Sequence, residues 1–446
     1  MLFPKSIRYA TVAGLVFALG ACNPAKFDDL ADEMWVTSSG APDGLDSNDY
    51  ADGIVWGGSA DAGGTFYAIG NRPAWAELAF NAQGKLTNSA LRVNSFLQGA
   101  DVLTSTPSIA ADPGSIGATG AKGTVALGTS QGGAAFVVLL HPNTFSFTDS
   151  ISLSDSTELV DALAMGPTNA GTSGSDIVVV RSRPSDSRLS VILDYQDAGD
   201  NFVQPSCTLT KEEGYSAAVA NLDSVSPDSE IIVGMGSRSR SSGMGHVLIL
   251  AGSLVVDTQA IGDDLPCTDG GALLATIDAP MGEPDFGAAI AVGDFDGDGA
   301  NGGAGNDLAI SAPSANRVYV YFNVDTSAAL GTPIEITPPP GAEAYGTSLA
   351  AGDFDGDGAD ELVIGDPSAD VDAVINSGRA DIVVFSGGAV ADSHTVLDAE
   401  AENSQNFGRA VAVATFNGVD ILAVGARDEV FTYFRTPVTG DVDDRQ

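Results

Sequence analysis

The sequence predicts an all-β protein built from a repeated unit, and three observations carry that prediction. The octapeptide GDFDGDGA occurs twice, at Gly293–Ala300 and Gly352–Ala359, with starts 59 residues apart. No long stretch shows the 3.6-residue period of an amphipathic helix. Short runs of β-branched and small apolar residues recur instead, punctuated by Gly, Asp, Pro and Ser. Roughly 400 residues follow a short N-terminal leader, more than one hydrophobic core usually holds, so a repeat array or several domains are expected.

Taken in order, the chain begins with Lys5 and Arg8 ahead of an apolar run, Ala10–Leu19, too short to span a bilayer as a mature helix. A basic start, that run and small residues after it describe a removable signal peptide over residues 1–21. Leu19-Gly20-Ala21-Cys22 resembles a bacterial lipobox, which implies lipidation of Cys22 and cleavage before it. The expected location is the cell envelope, lipid-anchored, and Asn23 after the cysteine favours the outer membrane under the same resemblance. Residues 22–50 are then a tether carrying a short apolar piece, Met34–Thr37, suited to closing a ring of strands. Residues 51–437 hold the repeats, and 438–446 form an acidic tail.

The whole chain has 19 Lys+Arg against 59 Asp+Glu. Removing the leader removes Lys5 and Arg8 and no acid, leaving 17 against 59, a formal charge of −42. That balance argues against nucleic acid backbones and anionic membrane surfaces as partners, and for a soluble monomer in a cation-rich setting held to the membrane by its lipid alone. With Cys22 given to lipid, Cys207 and Cys267 remain. In an oxidising compartment a disulfide is expected, two buried thiols being the alternative.

The octapeptide is a loop suited to a hard cation. In the second copy Asp353, Asp355 and Asp357 stand at positions 1, 3 and 5, Ala359 offers a backbone carbonyl at 7, and Glu361 stands at 9. Alternate spacing turns oxygens inward, and the interleaved glycines permit the tight turn. Calcium is the natural occupant. The first copy keeps Asp294, Asp296 and Asp298, inserts Asn301–Gly305, and brings Asp307 to the place of Glu361. A third site near Asn221, Asp223 and Glu230 is weak or lost, because Val225 replaces the position-5 ligand. The last unit reads Thr415-Phe416-Asn417-Gly418, a plain turn.

Aligning on these loops exposes a larger unit. Tyr345-Gly346 and Phe286-Gly287 stand eight residues before Asp353 and Asp294. After each loop comes a hydrophobic strand ending in small residues, Ser311-Ala312-Pro313 and Gly365-Asp366-Pro367, and then a third strand. These motifs resemble the FG-GAP repeats of integrin α-subunits and bacterial cell-surface proteins. The resemblance implies a seven-bladed β-propeller of four-stranded blades, calcium in some of the loops between strands one and two, and ligands on the opposite face. Phase then places the second strands at Ile69, Leu127, Val179, Val233, Ile310, Ile364 and Val424, spaced by 52 to 77 residues, room enough for four strands each.

No catalytic constellation stands out. His141, His246 and His394 fall in different units. Gly128-Thr129-Ser130-Gln131-Gly132 matches G-x-S-x-G, but a nucleophile elbow needs a strand-to-helix turn that an all-β repeat lacks. Nine arginines gather where strand two connects to strand three: Arg72, Arg181, Arg183, Arg188, Arg238, Arg240, Arg317, Arg379 and Arg427. Either they neutralise nearby acids, or the set from Arg181 to Arg379 recognises a carboxylate- or sulfate-bearing ligand, for which the guanidinium fork suits. The expected function is a calcium-stabilised binding or adhesion module for an extracellular or periplasmic protein or an anionic glycan. The alternatives are a propeller hydrolase or lyase acting on polysaccharide, and a structural subunit of an envelope complex.

Overall fold

The computed structural model describes the strands, and many of their connections, between residues 34 and 435; residues 1–33, 41–50, 436–446 and parts of the interstrand connections lie outside it. The signal peptide, Cys22, the acidic tail, Arg72, Arg183, Asp223, Arg238 and Arg240 are among the latter. Among the described residues no helix is long and apolar enough to cross a membrane.

The protein is a β-propeller of four-stranded antiparallel blades. Strand β1 is Met34–Gly40. The first sheet holds β2 to β5 (Gly53–Ala60, Gly63–Ile69, Ala74–Asn81, Leu86–Val93), and the second β6 to β9 (Ser108–Asp112, Thr124–Gln131, Ala134–His141, Ser146–Ser152). The third holds β10 to β13 (Leu159–Gly166, Asp176–Ser182, Ser187–Ile192, Ser206–Thr208), and the fourth β14 to β17 (Glu213–Ala220, Glu230–Gly236, His246–Ala251, Leu273–Asp278). The fifth holds β18 to β21 (Ile290–Gly293, Asp307–Ala312, Arg317–Tyr321, Ile334–Ile336), and the sixth β22 to β25 (Ser348–Gly352, Glu361–Asp366, Arg379–Ser386, Ala389–Val396). The seventh sheet contains β26 to β28 (Ala410–Phe416, Val419–Gly425, Glu429–Arg435), and β1 pairs antiparallel with β28, Met34 opposite Arg435 and Gly40 opposite Glu429.

Each of the seven positions picked out by phase lies on the second strand of a different sheet. These second strands are the apolar heart of the fold: β11, β15, β19 and β23 are buried along their whole length. Such strands read as continuous apolar runs because both faces are covered by neighbouring sheets. The outermost strand of the sixth sheet, β25, by contrast is largely exposed.

Among the described residues the core is divided between neighbouring sheets. The seven apolar clusters each straddle two consecutive sheets, and the cluster of Ala51, Ile54, Phe66 and Leu78 with Ala410, Ala412, Ile421 and Ala423 joins the first sheet to the seventh. The innermost strands likewise touch in cyclic order, β26 meeting β2. At that junction Arg409 forms an ion pair with Asp52. Inner strands rich in Ala fit this geometry, since they crowd together nearest the axis.

The aromatic–glycine pairs before β18, β22 and β26 have a visible reason. Phe286, Tyr345 and Phe407 are fully buried. The glycines after them hold φ of 96°, 92° and 90°, a conformation costly for any residue with a Cβ. Their amides donate to Ser311 O, Gly365 O and Gly425 O of their own second strands at 2.9–3.0 Å. On the other side, the Gly287 and Gly408 carbonyls accept from Ser216 Oγ at 2.7 Å and Ser348 Oγ at 2.9 Å of the preceding sheet. That close approach also requires small residues opposite: a Cβ on Gly234 or Gly365 would stand 2.0 or 2.1 Å from those carbonyls.

Cys207 in β13 and Cys267, just before β17, form a disulfide linking the third and fourth sheets.

Candidate metal centres

Both acidic loops sit at the turn from the first to the second strand of their sheets, the fifth and the sixth. Each brings three carboxylates together. Oxygens of Asp294, Asp296 and Asp307 lie within 4.8 Å of one another, as do those of Asp353, Asp355 and Asp357. Asp298 and Glu361, expected as ligands from the spacing, do not join these triads. Glu361 has a contact of its own at the base of the loop. Its Oε2 accepts the Phe354 amide at 2.8 Å, and its side chain is buried at the start of β23.

That arrangement recurs in the first acidic loop and in two sheets that lack a complete one. Asp307 Oδ2 accepts from Phe295 N at 2.8 Å, Glu230 Oε2 from Leu222 N at 2.8 Å, and Asp176 Oδ2 from Thr168 N at 3.0 Å. All four acids open a second strand and all are buried. The acid at position 9 is therefore first a staple for the hairpin, satisfying an amide that would otherwise be buried unpaired. This accounts for Glu230 in a unit that has lost its position-5 ligand.

The remaining loop contacts wind each triad tightly. Asp353 accepts from the amides of Gly356 at 2.7 Å and Gly358 at 3.1 Å, and Asp355 and Asp357 accept from residues two further on. Ala359, whose carbonyl was the expected position-7 ligand, donates its amide to Asp357 and lies against Gly297 of the first loop. In the first loop Asp298 N donates to Asp294 and Asp296, while Asn323 reaches in from beyond β20, its amide 2.7 Å from Asp307 Oδ1 and its Nδ2 2.8 Å from Asp296 Oδ2. Asn323 holds φ of 51°, a conformation Asn tolerates better than most.

Without a cation these groups repel. Burial pushes the Glu361 carboxyl up to about 9, and Asp355, Asp353 and Asp357 push it further in the same direction. Burial moves Asp307 up to about 6, with Asp296 adding to the shift and three backbone amides opposing it. Asp298 is raised by desolvation and then by Asp296 and Asp294. Convergent hard oxygen donors of this kind fit a divalent cation of the calcium type.

Two residues outside the ligand pattern tie the loops to their neighbours. Asp360 Oδ2 accepts from Asp294 N at 2.9 Å, and Asp360 N donates to Asp294 O at 2.7 Å. One sheet further, Asp420 Oδ2 accepts from Asp353 N at 2.7 Å.

Residues 345–376 match the FG-GAP repeat. The matched segment runs from the buried Tyr345 through the second acidic loop and β23, which ties the FG-GAP pattern to the geometry above. No curated protein matches the chain. Among solved structures, one described as "Structure of Dos1 propeller" aligns at 10% identity and a TM-score of 0.47, covering 83% of this chain and 75% of that one.

Among the described residues, several of the arginines grouped by sequence are held by neighbouring segments. Arg181, Arg188 and Arg379 are 3%, 8% and 4% exposed. Arg181 donates to Leu153 O and Ser190 Oγ. Arg379 donates to Pro339 O and Pro340 O at 3.2 Å and pairs with Asp366 and Asp381. Arg317 is paired with Glu283 at 3.0 Å and Glu335 at 3.4 Å. Leu153, Glu283, Pro339 and Pro340 all belong to the segments that lead into an inner strand, so Arg181, Arg317 and Arg379 each clamp one such lead-in. Arg427, partly exposed, donates its backbone amide to Gln405 O in the lead-in to β26. Burial of a guanidinium requires such partners.

His141, His246 and His394 lie on β8, β16 and β25, in three different sheets. Ser130 lies within strand β7.

Proposed function

We propose that this chain is an exported, lipid-anchored, calcium-stabilised FG-GAP propeller of seven blades, its last blade completed by β1, that works as a binding or adhesion module of the cell envelope. The observation that carries the reading is the pair of carboxylate triads on successive first turns, at Asp294–Asp307 and Asp353–Asp357. Asp294, Asp296 and Asp307 would hold one ion, and Asp353, Asp355 and Asp357 the other, each locking a turn in place. The ligand is a protein or glycan surface, met on the face opposite these loops. That face is formed by the turns between second and third strands and by the lead-in segments. Four of the exposed large apolar side chains among the described residues, Met244, Met281, Ile375 and Leu397, stand there.

The test is a thermal melt of the purified chain in millimolar calcium and in chelator, beside the variant Asp353→Ala/Asp355→Ala. A cation that binds only the native state stabilises it by roughly 1–3 kcal/mol at modest excess over its Kd. Calcium is expected to raise the midpoint, and the variant to lose a large part of the gain. A midpoint indifferent to calcium overturns the metal reading.

A further inference from the structure

The two acidic loops belong to different sheets, yet they share a residue. Asp360 is the eighth residue of the second loop, between Ala359 and Glu361. Its carboxylate and its amide are both bonded to Asp294, the first residue of the first loop, at 2.9 and 2.7 Å. Gly297 of the first loop lies against Ala359 of the second; a Cβ there would stand 3.0 Å from the Ala359 Cβ.

The construction is repeated one sheet on. Asp420 accepts the amide of Asp353, first residue of the second loop. In both cases the glycine preceding the loop makes room for the neighbour's carboxylate: a Cβ on Gly293 would stand 2.9 Å from Asp360 Oδ2, and on Gly352 2.8 Å from Asp420 Oδ2. Two independent copies of one geometry, each needing a glycine at the same place, mark a built contact.

We propose that Asp360 is a positioning residue that couples the two cation loops, so that filling one raises the affinity of the other. The inference rests on the calcium reading above. A cation in the second loop fixes the loop's path from Asp357 to Glu361 and with it Asp360. Asp360 in turn fixes both backbone groups of Asp294, whose carboxylate is the first ligand of the first loop. Linkage makes the effect reciprocal. The relay ends at Asp420, because its own turn, Thr415–Val419, has no acidic loop.

Calorimetric titration of the full chain with calcium chloride decides it. The wild type should take up two ions. Asp353→Asn/Asp355→Asn, which empties the second loop, should weaken the first loop by about fivefold or more, the lower range of measured couplings between sites. Asp360→Ala should abolish that dependence, so that emptying the second loop no longer affects the first. Asp360→Asn keeps the acceptor and should preserve it. Two ions bound with first-loop affinity unchanged in the Asp353→Asn/Asp355→Asn variant overturns the coupling while leaving the metal reading standing. No uptake by the wild type overturns both. Should Asp360→Ala not fold, the wild type against the double variant still decides the coupling, and Asp360→Asn decides whether an uncharged acceptor suffices.

Discussion

Gly365→Ala puts the joint between blades to the test. A Cβ at this position would stand 2.1 Å from Gly408 O and 2.3 Å from Ser348 Oγ, distances no real carbon atom tolerates. The nearer obstacle is backbone of the next sheet, which cannot swing away like a side chain. The sheets must part, at a cost of about 1–3 kcal/mol for overpacking. The Ser348 Oγ to Gly408 O bond of 2.9 Å is lost as they do, adding about 1 kcal/mol. With an unfolding entropy of about 2.1 cal/mol/K per residue over roughly 385 residues, a loss of 2–4 kcal/mol lowers the midpoint by about 3–5 °C. Gly331→Ala is the matched control, since nothing stands within 4 Å of its added Cβ. Differential scanning calorimetry of both variants and the wild type, in saturating calcium, provides the comparison. Equal midpoints for Gly365→Ala and Gly331→Ala would refute the claim that the FG glycine's carbonyl packs on the preceding sheet.

Three further outcomes follow from the site. In chelator, a carboxyl raised in the native state holds a proton that the unfolded chain has released. Glu361, moved from 4.5 to about 9, therefore makes stability fall as pH rises between those values. Calcium or Glu361→Gln should flatten that slope in a series of melts. Arg379→Ala leaves Asp366 and Asp381 without their buried cation and should cost about 3–5 kcal/mol in urea unfolding, while the calcium-induced rise in midpoint persists. Cys207→Ala/Cys267→Ala opens a link between positions 60 residues apart and should cost roughly 4 kcal/mol, read as a lowered urea midpoint that reductant reproduces in the wild type.

The second strands were legible in sequence because burial on both faces leaves runs such as Ile231–Val233 and Leu362–Ile364 with no polar alternation to obscure them. The acidic loops were legible because a cation site forces one residue type at fixed intervals. The direction of the arginine side chains was not legible, because position in a turn says nothing about whether a side chain points out or back. Arg379 follows a glycine at the head of β24, and its guanidinium turns inward to the Pro339 and Pro340 carbonyls, contacts that join residues about 40 apart. Asp360, between Ala359 and Glu361, and Asp420, on β27, carry no ligand pattern of their own. A signal for them did exist. Gly293 and Gly352 open both octapeptides without adopting positive φ, so the turn does not require glycine there; the neighbour's carboxylate does.

The pairing of β1 with β28 has a mechanical side. Seven residue pairs, Met34–Arg435 through Gly40–Glu429, join the first described strand of the chain to the last. Tension arriving from the N-terminal side along the strand axis loads all seven pairs together in shear. Tension directed away from the sheet opens them one at a time, starting at Met34. The resistance of this pairing to being pulled apart thus depends on the direction of pull.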